Sequence, residues 1–457
     1  MHARRQVGRV GDNAGGGQAG RRAGSSTIAG SGLLTSGQTT TERTGGTRPS
    51  RLGLRASAAV GLGRAASWLS RAAGRGDGAI IGGRIALAVD PGVLRQLATG
   101  RRLALVTGTN GKTTTTHMIT AAIRAHYGRV ATNHTGANMP DGHTAALAGD
   151  LDATHAVLEV DELHLHAVAD QVNPEVITLL NLSRDQLDRA EEIRKVATRL
   201  AAAVTAHPQA TVIANADDPN IVLAGAAAQH VVWVAAGVAW RADATVCPRC
   251  ARLLLAQGAQ WWCECGLARP QPAWRVDAEA LTTPQGLRLP LTLQLPGTAN
   301  RGNAAIAVAT AAALGCPPEV ALPAVAALAD IRGRYRTLTL GGRAARLLLA
   351  KNPAGWQEML TVIADHQRPL VIVVNAREAD GFDVSWLWDV HFEVLRGRHV
   401  IASGERATDL AVRLRYAEVE HDVQPNPVAA VASTAGADPE VIANYTAFRA
   451  LTQLDAQ

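Results

Sequence analysis

A chain of 457 residues exceeds one ordinary domain, and with 47% hydrophobic residues it holds enough apolar mass for more than one packed core. The formal net charge of +6 would suit a nucleic-acid binder, but residues 1–55 carry nine Arg against two acids, which leaves −1 for everything after them. The body of the chain thus has no basic excess to offer a phosphate backbone, and no uncharged apolar run of about 18 residues offers a membrane span.

Residues 1–55 are rich in Gly, Arg, Ser and Thr and show no hydrophobic period. They are expected to be a disordered or mis-annotated N-terminal extension. From Ala56 the pattern turns helical, with Trp68 and Leu69 among spaced arginines. Residues 103–106, 130–132, 156–160 and 176–180 read as short buried strands, and residues 114–126 and 193–206 as helices between them. This alternation predicts an α/β domain with a mainly parallel sheet over residues 56–336. A stretch at about 237–290, with cysteine pairs and Trp261-Trp262, reads as an insertion, and Ala-rich helices return at 303–314 and 319–329. A second alternation begins near Leu347 and runs through 370–375 and 399–402. It predicts a smaller α/β C-terminal domain over residues 337–457.

Only three of the 45 basic residues are lysines: Lys112, Lys195 and Lys351. In so Arg-biased a chain each Lys is a candidate for a task that needs a compact ammonium. Lys112 lies in Thr107-Gly-Thr-Asn-Gly-Lys-Thr-Thr114, after one predicted strand and at the start of a helix. Gly108 and Gly111 let backbone N–H groups approach phosphate, Lys112 adds a point charge, and Thr113 can place a hydroxyl on Mg²⁺. A full Walker loop has Gly at the position of Val106, so this is a shortened variant.

These residues resemble the ATP loop of the Mur ligases, which join amino acids to peptidoglycan precursors through an acyl phosphate. Leu158-Glu-Val-Asp-Glu162 follows in the same order, and the resemblance implies that Glu159 holds Mg²⁺ with Thr113. The resemblance also assigns Gly108, Thr109, Asn110, Gly111, Lys112, Thr113 and Thr114 to the nucleotide. It adds Asn215 in Asn-Ala-Asp-Asp-Pro, Asn300 in Gly-Thr-Ala-Asn-Arg-Gly-Asn, and Arg334 in Gly-Arg-Tyr. Gln186 stands where the family usually has His.

Four cysteines fall as Cys247-x₂-Cys250-x₁₂-Cys263-x-Cys265-Gly. Two close thiol pairs suit a tetrahedral, structural Zn²⁺ site, and disulfides are the other reading. Cys316 follows an Ala-rich helix and is expected to be a packed small residue.

Such a cysteine ribbon, together with a region of only about 50 residues between Ala56 and the phosphate loop, resembles the MurT branch of the Mur ligases. Lys351-Asn-Pro-Ala-Gly355 and Asp383-Val-Ser-Trp386 resemble its C-terminal signatures. The branch has Asp-Asn at the positions of Ala376 and Arg377, and often Asp at that of His391. The resemblance implies that Asp383 completes a catalytic triad whose Cys and His sit on GatD, a glutamine amidotransferase subunit. It implies ATP, Mg²⁺ and structural Zn²⁺, and amidation of the D-glutamate α-carboxylate of lipid II with ammonia from GatD. It also implies a cytoplasmic protein held at the inner membrane face through its substrate, with no nucleic acid as partner. Lys351 and Asn352 are candidate contacts to substrate or phosphate. The alternatives are an amino-acid-adding ligase of the Mur or folylpolyglutamate type and a zinc-ribbon ATPase acting on nucleic acid.

Overall fold

The computed structural model describes residues 52–72, 79–133, 136–184, 192–238, 242–295, 297–329, 335–364, 367–378 and 380–454. Helices α1 (Leu54–Ala72), α2 (Ala79–Val89) and α3 (Val93–Ala98) come first. An alternating run follows: β1 (Arg102–Thr107), α4 (Lys112–Tyr127), β2 (Val130–Thr132), α5 (Pro140–Gly149), β3 (His155–Glu159), α6 (Leu165–Val172), β4 (Val176–Leu179), α7 (Ile193–Ala206), β5 (Thr211–Asn215), α8 (Pro219–Gly225) and β6 (His230–Ala235). A hairpin of β7 (Leu255–Gln257) and β8 (Gln260–Trp262) is succeeded by β9 (Trp274–Val276), β10 (Ala280–Thr282), β11 (Arg288–Pro290), α9 (Thr298–Ala313) and α10 (Pro318–Ala326).

The strands form a nine-stranded sheet in the order β11-β10-β9-β6-β5-β4-β1-β3-β2. Pairing is parallel from β2 to β9, while β10 and β11 add on antiparallel. The stretch expected as one insertion therefore divides. Residues 274–290 extend the main sheet, and the separate two-stranded hairpin lies with the cysteines before them. Along β1, Leu103 and Leu105 enter one core and Ala104 and Val106 the other. A strand buried on both faces must be apolar at every position, which is why this one reads as an unbroken run.

The second sheet comprises β12 (Tyr335–Leu340), β13 (Arg343–Leu349), β14 (Leu370–Val373), β15 (Val400–Ser403), β16 (His421–Val423) and β17 (Glu440–Ala443), in the order β12-β13-β17-β14-β15-β16. Only the β12–β13 hairpin is antiparallel. Helices α11 (Pro353–Ile363), α12 (Ala407–Tyr416), α13 (Pro427–Ser433) and α14 (Tyr445–Leu454) cover it. Trp356 anchors one of its cores, stacked 5.5 Å from Trp386 and tilted against Phe392. In such sheets ligands collect at the carboxyl ends of the strands. The loops after β1, β3 and β4 and those after β13 and β17 line the same cleft. Among the described residues no helix is long and apolar enough to cross a membrane.

Candidate active site

The phosphate loop forms where β1 ends. Gly108 (φ +139°) and Gly111 (φ +82°) hold conformations that L side chains avoid. A Cβ on Gly108 would stand 2.9 Å from the Asn181 carbonyl oxygen, and one on Gly111 2.8 Å from the Asn303 side-chain oxygen. The loop after β4 locks this turn. Thr109 N donates to Asn181 O (2.9 Å), Asn110 N to Asn181 Oδ1 (2.9 Å), and Asn181 Nδ2 returns a bond to Asn110 O (3.0 Å). Ser183 adds bonds to the Thr109 and Asn110 side chains. The backbone donors of Thr109 and Asn110 are therefore spent on the protein. The N–H groups that open α4, from Gly111 to Thr114, have no acceptor within the helix and sit at its positive end.

Lys112 folds back over the loop. Its Nζ donates to Gly108 O (2.6 Å) and Thr109 O (3.3 Å) and pairs with Glu162 Oε2 at 3.0 Å. Each side chain of the pair is only 13% exposed, so the ammonium is held ready in a shielded place. Glu162 is a residue that sequence reasoning quoted in a motif but gave no role.

Glu159 closes β3 with its backbone clamped on both sides. Its N–H donates to Asn133 Oδ1 (2.9 Å), and its carbonyl accepts from Asn133 Nδ2 and from His143 Nε2, both at 2.8 Å. Burial pushes the His143 imidazole down to about 4, so it is neutral and donates through Nε2. Glu159 Oε2 is buried and makes no hydrogen bond. A Cβ on Gly136 would lie 3.9 Å from both that oxygen and Thr113 Oγ1, so carboxylate and hydroxyl open onto one space. An orphaned carboxylate oxygen beside a hydroxyl fits a hard divalent cation. Neither Asn133 nor His143 carried a motif signal, because both act through the backbone of another residue.

Asn215 and Asn300 also line the cleft. Asn215 is fixed by bonds with Gly237 O and Asp217 N, and Asn300 accepts from Asn303 Nδ2. Arg334 and Gln186 lie outside the described residues.

The opposite wall belongs to the second sheet. Lys351 follows β13, and its Nζ lies 5.0 Å from the centre of the Tyr445 ring. Asn352 uses its side-chain oxygen to cap α11, accepting from Gly355 N at 3.0 Å. The wall is assembled from distant stretches. Asn375 N donates to Asn444 Oδ1 (3.1 Å) and Asn444 Nδ2 to Asn375 O (2.6 Å). Asp380 accepts from Thr446 N (2.9 Å) and also bonds the Thr446 hydroxyl. An ion pair, Arg184 to Asp389 at 3.5 Å, joins the β4 loop to the C-terminal side. Between the walls lies a cleft of about 580 Å³.

Asp383 is not in that cleft. It is exposed, and Oδ1 accepts from Ser385 N at 2.8 Å, which holds its carboxyl below the usual range. The cysteines are elsewhere again. The sulfurs of Cys247, Cys250, Cys263 and Cys265 all lie within 4.8 Å of one another, with Cys250 and Cys263 at 3.4 Å and Cys247 and Cys265 at 3.6 Å. All four are free thiols. Cys316 is buried apart from them, and burial raises its thiol to about 11, which suits packing and not nucleophilic attack.

The Mur ligase middle domain family matches residues 106–311, and the MurT ligase C-terminal family matches residues 349–448. The lipid II isoglutaminyl synthase (glutamine-hydrolyzing) subunit MurT of Streptococcus pneumoniae is 31% identical over 74% of this chain and 82% of that one. Its counterpart in Staphylococcus aureus is 30% identical over 79% and 88%. MurF from Acinetobacter baumannii shares the fold, with a TM-score of 0.60 and 18% identity over 82% of this chain and 81% of that one. The phosphate loop, the clamped Glu159, the Lys351 turn and strands β14 to β17 thus fall inside the matched regions, and the chain belongs to the MurT family of Mur ligases.

Proposed function

We propose that this chain is the ATP-dependent subunit of a lipid II isoglutaminyl synthase and acts with a glutaminase partner of the GatD type. The D-glutamate α-carboxylate of lipid II takes the γ-phosphoryl group of ATP, and ADP leaves. Ammonia released from glutamine by the partner then displaces phosphate from the acyl carbon and leaves D-isoglutamine. The observation that carries this reading is the convergence of Lys112, Thr113 and the orphaned Glu159 oxygen at a helix N-terminus, inside a cleft whose far wall presents Lys351.

Lys112 and the N–H groups opening α4 hold the β- and γ-phosphates. Asn215 and Asn300 border the nucleotide. Thr113 and Glu159 would hold Mg²⁺, which would supply positive charge to the transferring phosphoryl group. Lys351 offers the acceptor side a positive charge, and Asn352 shapes its turn by capping α11. Arg334, between the two sheets in sequence, is assigned to phosphate. Residues 56–336 and 337–457 are taken as the central and C-terminal domains, with 1–55 as an appended tail.

The four thiols are assigned to a structural Zn²⁺. Zn–S bonds of about 2.3 Å in a tetrahedron place sulfurs roughly 3.8 Å apart, close to the observed spacing. Backbone turns at Ala251 and Gly266 direct the sulfurs inward, and four thiolates leave no open position for catalysis. One zinc per chain is expected by elemental analysis, with Cys250→Ser losing it and lowering the thermal midpoint; a metal-free wild type of equal stability would remove this assignment.

Asp383 is assigned to a partner and not to the cleft. Its exposed carboxylate is fixed by Ser385 N, and its neighbour Phe382 is 64% exposed. A carboxylate presented in this way can orient a His of a Cys–His pair on another subunit. The test is co-purification with the glutaminase followed by lipid II amidation. Asp383→Asn should lose glutamine-dependent amidation while keeping activity with added ammonium. Full glutamine-dependent activity in that variant would take Asp383 out of the mechanism.

A further inference from the structure

The cysteine segment is tied to the cleft at both of its ends. At its entrance the Asp243 carboxylate, 6% exposed, accepts from Arg184 N (2.8 Å) and Arg184 Nε (2.6 Å). Arg184 directly follows Ser183, which bonds the Thr109 and Asn110 side chains of the phosphate loop. At its exit Arg269 joins the hairpin through its backbone, N to Trp261 O at 2.9 Å, while its Nε donates to Asp217 Oδ1 at 2.6 Å. These two side chains are shielded, at 7% and 15% exposed.

Asp217 carries the contact into the wall of the cleft. Its other oxygen accepts from Gly237 N at 2.7 Å. The Asn215 side chain closes the ring, accepting from Asp217 N (3.0 Å) and donating to Gly237 O (2.9 Å). The loop after β6 is also the seat of α9, because a Cβ on Gly302 would stand 2.0 Å from Ala236 O. Asn215, Gly237 and Asn300 all line the cleft. The cysteine segment has little else to fix its shape. Cys247, Trp261, Cys263 and Leu267 bury together against Val222 of α8, and the strands of the hairpin have three residues each. So small a core needs a covalent or metal closure to hold one fold, and the four clustered thiols are suited to provide it.

We infer that Asp243 and Arg269 are positioning residues for the nucleotide, and that the cysteine segment is a clasp on the loops after β4, β5 and β6. It holds them at the spacing a nucleotide meets, so that binding energy is not spent on ordering them. Nucleotide affinity is thereby set in part by the closure of four thiols that lie outside the cleft. The inference rests on the assignment of Asn215 and Asn300 to the nucleotide.

The test is calorimetric titration of the full chain with MgADP, alongside a thermal melt of each variant. Failure of the wild type to bind MgADP would remove the nucleotide reading itself and this inference with it. Arg269→Ala should weaken ADP about tenfold. Asp217→Asn keeps an oxygen for Gly237 N but loses the charge that faces Arg269, and should weaken ADP about threefold with less risk to folding. The double variant should bind no worse than Arg269→Ala, since both changes break one contact. Cys250→Ser, which opens the clasp, should weaken ADP at least as much as Arg269→Ala. Arg252→Ala breaks the exposed pair with Glu264 inside the same segment and should leave ADP affinity unchanged. A Cys250→Ser chain with a lowered thermal midpoint but wild-type ADP affinity would overturn the inference and leave the segment a purely structural role. So would wild-type affinity in both Arg269→Ala and Asp217→Asn, or a loss in Arg252→Ala as large as that in Arg269→Ala.

Discussion

The two walls of the cleft are built with one device and differ in how they hold their lysine. On the central side Asn181 exchanges side-chain amide bonds with the N–H and C=O of Asn110, and Asn133 does the same for Glu159. On the C-terminal side Asn444 does so for Asn375. In each case an amide side chain imitates a strand neighbour and fixes a loop that has left the sheet. The lysines diverge. Lys112 is shielded and anchored by two carbonyls and a carboxylate, whereas Lys351 is exposed above the Tyr445 ring. A preset ammonium suits a ligand that always binds in one pose, as a nucleotide triphosphate does. A reaching one suits a group that arrives after the walls approach.

The largest effect should follow from removing the preset charge. Lys112→Ala should lower ATP-dependent turnover about 10²–10³-fold, the scale of losing one donor aimed at developing charge. Lys112→Arg should not restore it, because a planar guanidinium cannot satisfy Gly108 O, Thr109 O and Glu162 as a compact ammonium does. Steady-state turnover of the two variants at saturating ATP checks this, and a fully active Lys112→Arg would show that the ammonium's shape is immaterial.

The asymmetry between the walls also explains what could be read from the sequence. The phosphate loop of the central wall lies within consecutive residues, strand, turn and helix from Arg102 to Tyr127, so its strand, glycines and Lys are all legible as one pattern. The second wall joins residues near 351, 375 and 444 that meet only because β17 inserts between β13 and β14. No local period encodes that order. The Asn444 clasp and the hold of Asp380 on Thr446 therefore emerged only from the fold. The boundary between the cysteine hairpin and the main sheet is hidden in the sequence for a related reason. Strands of three residues at a sheet edge, such as β9 to β11, show too little alternation to be told from an insertion.

Acid should strike the central side. His155 in β3 is fully buried, stacked 4.0 Å from the Tyr127 ring, and burial with nearby Arg102 depresses its imidazole to about 4. The unfolded chain takes up that proton near pH 6.5 and the folded protein only near 4. Between these values acid favours the unfolded state. The loss grows to about 3 kcal/mol at the lower end and vanishes above about pH 6.5. Thermal melts from pH 7.5 to 4.5 should show this slope in wild type and a shallower one in His155→Gln. Parallel slopes would place the acid sensitivity elsewhere.

The C-terminal clasp should matter by about 2 kcal/mol. Asn444 is 2% exposed, and Asn444→Ala leaves both Asn375 N–H and C=O without their partner. For a protein of this size that lowers the melting midpoint by a few degrees. It should also blunt activity, because Tyr445, which opens α14 directly after Asn444, lies under Lys351. A midpoint unchanged within a degree would mean that water replaces the amide without cost, and that the likeness between the two walls is one of shape alone.

The smallest effect, and the one that separates the lysines most clearly, belongs to Lys351. If it meets the acceptor and not the nucleotide, Lys351→Ala should leave the apparent affinity for ATP unchanged and lower kcat/KM for the lipid-linked acceptor about tenfold, or about 1.4 kcal/mol. Its exposure predicts that stability changes little. Lys351→Arg should recover part of the loss. The longer cation can still lie over Tyr445, and an exposed site tolerates its plane. The shielded socket of Lys112 does not. A variant that instead weakened ATP binding as much as Lys112→Ala would place both lysines on the same phosphates and dissolve the distinction between the walls.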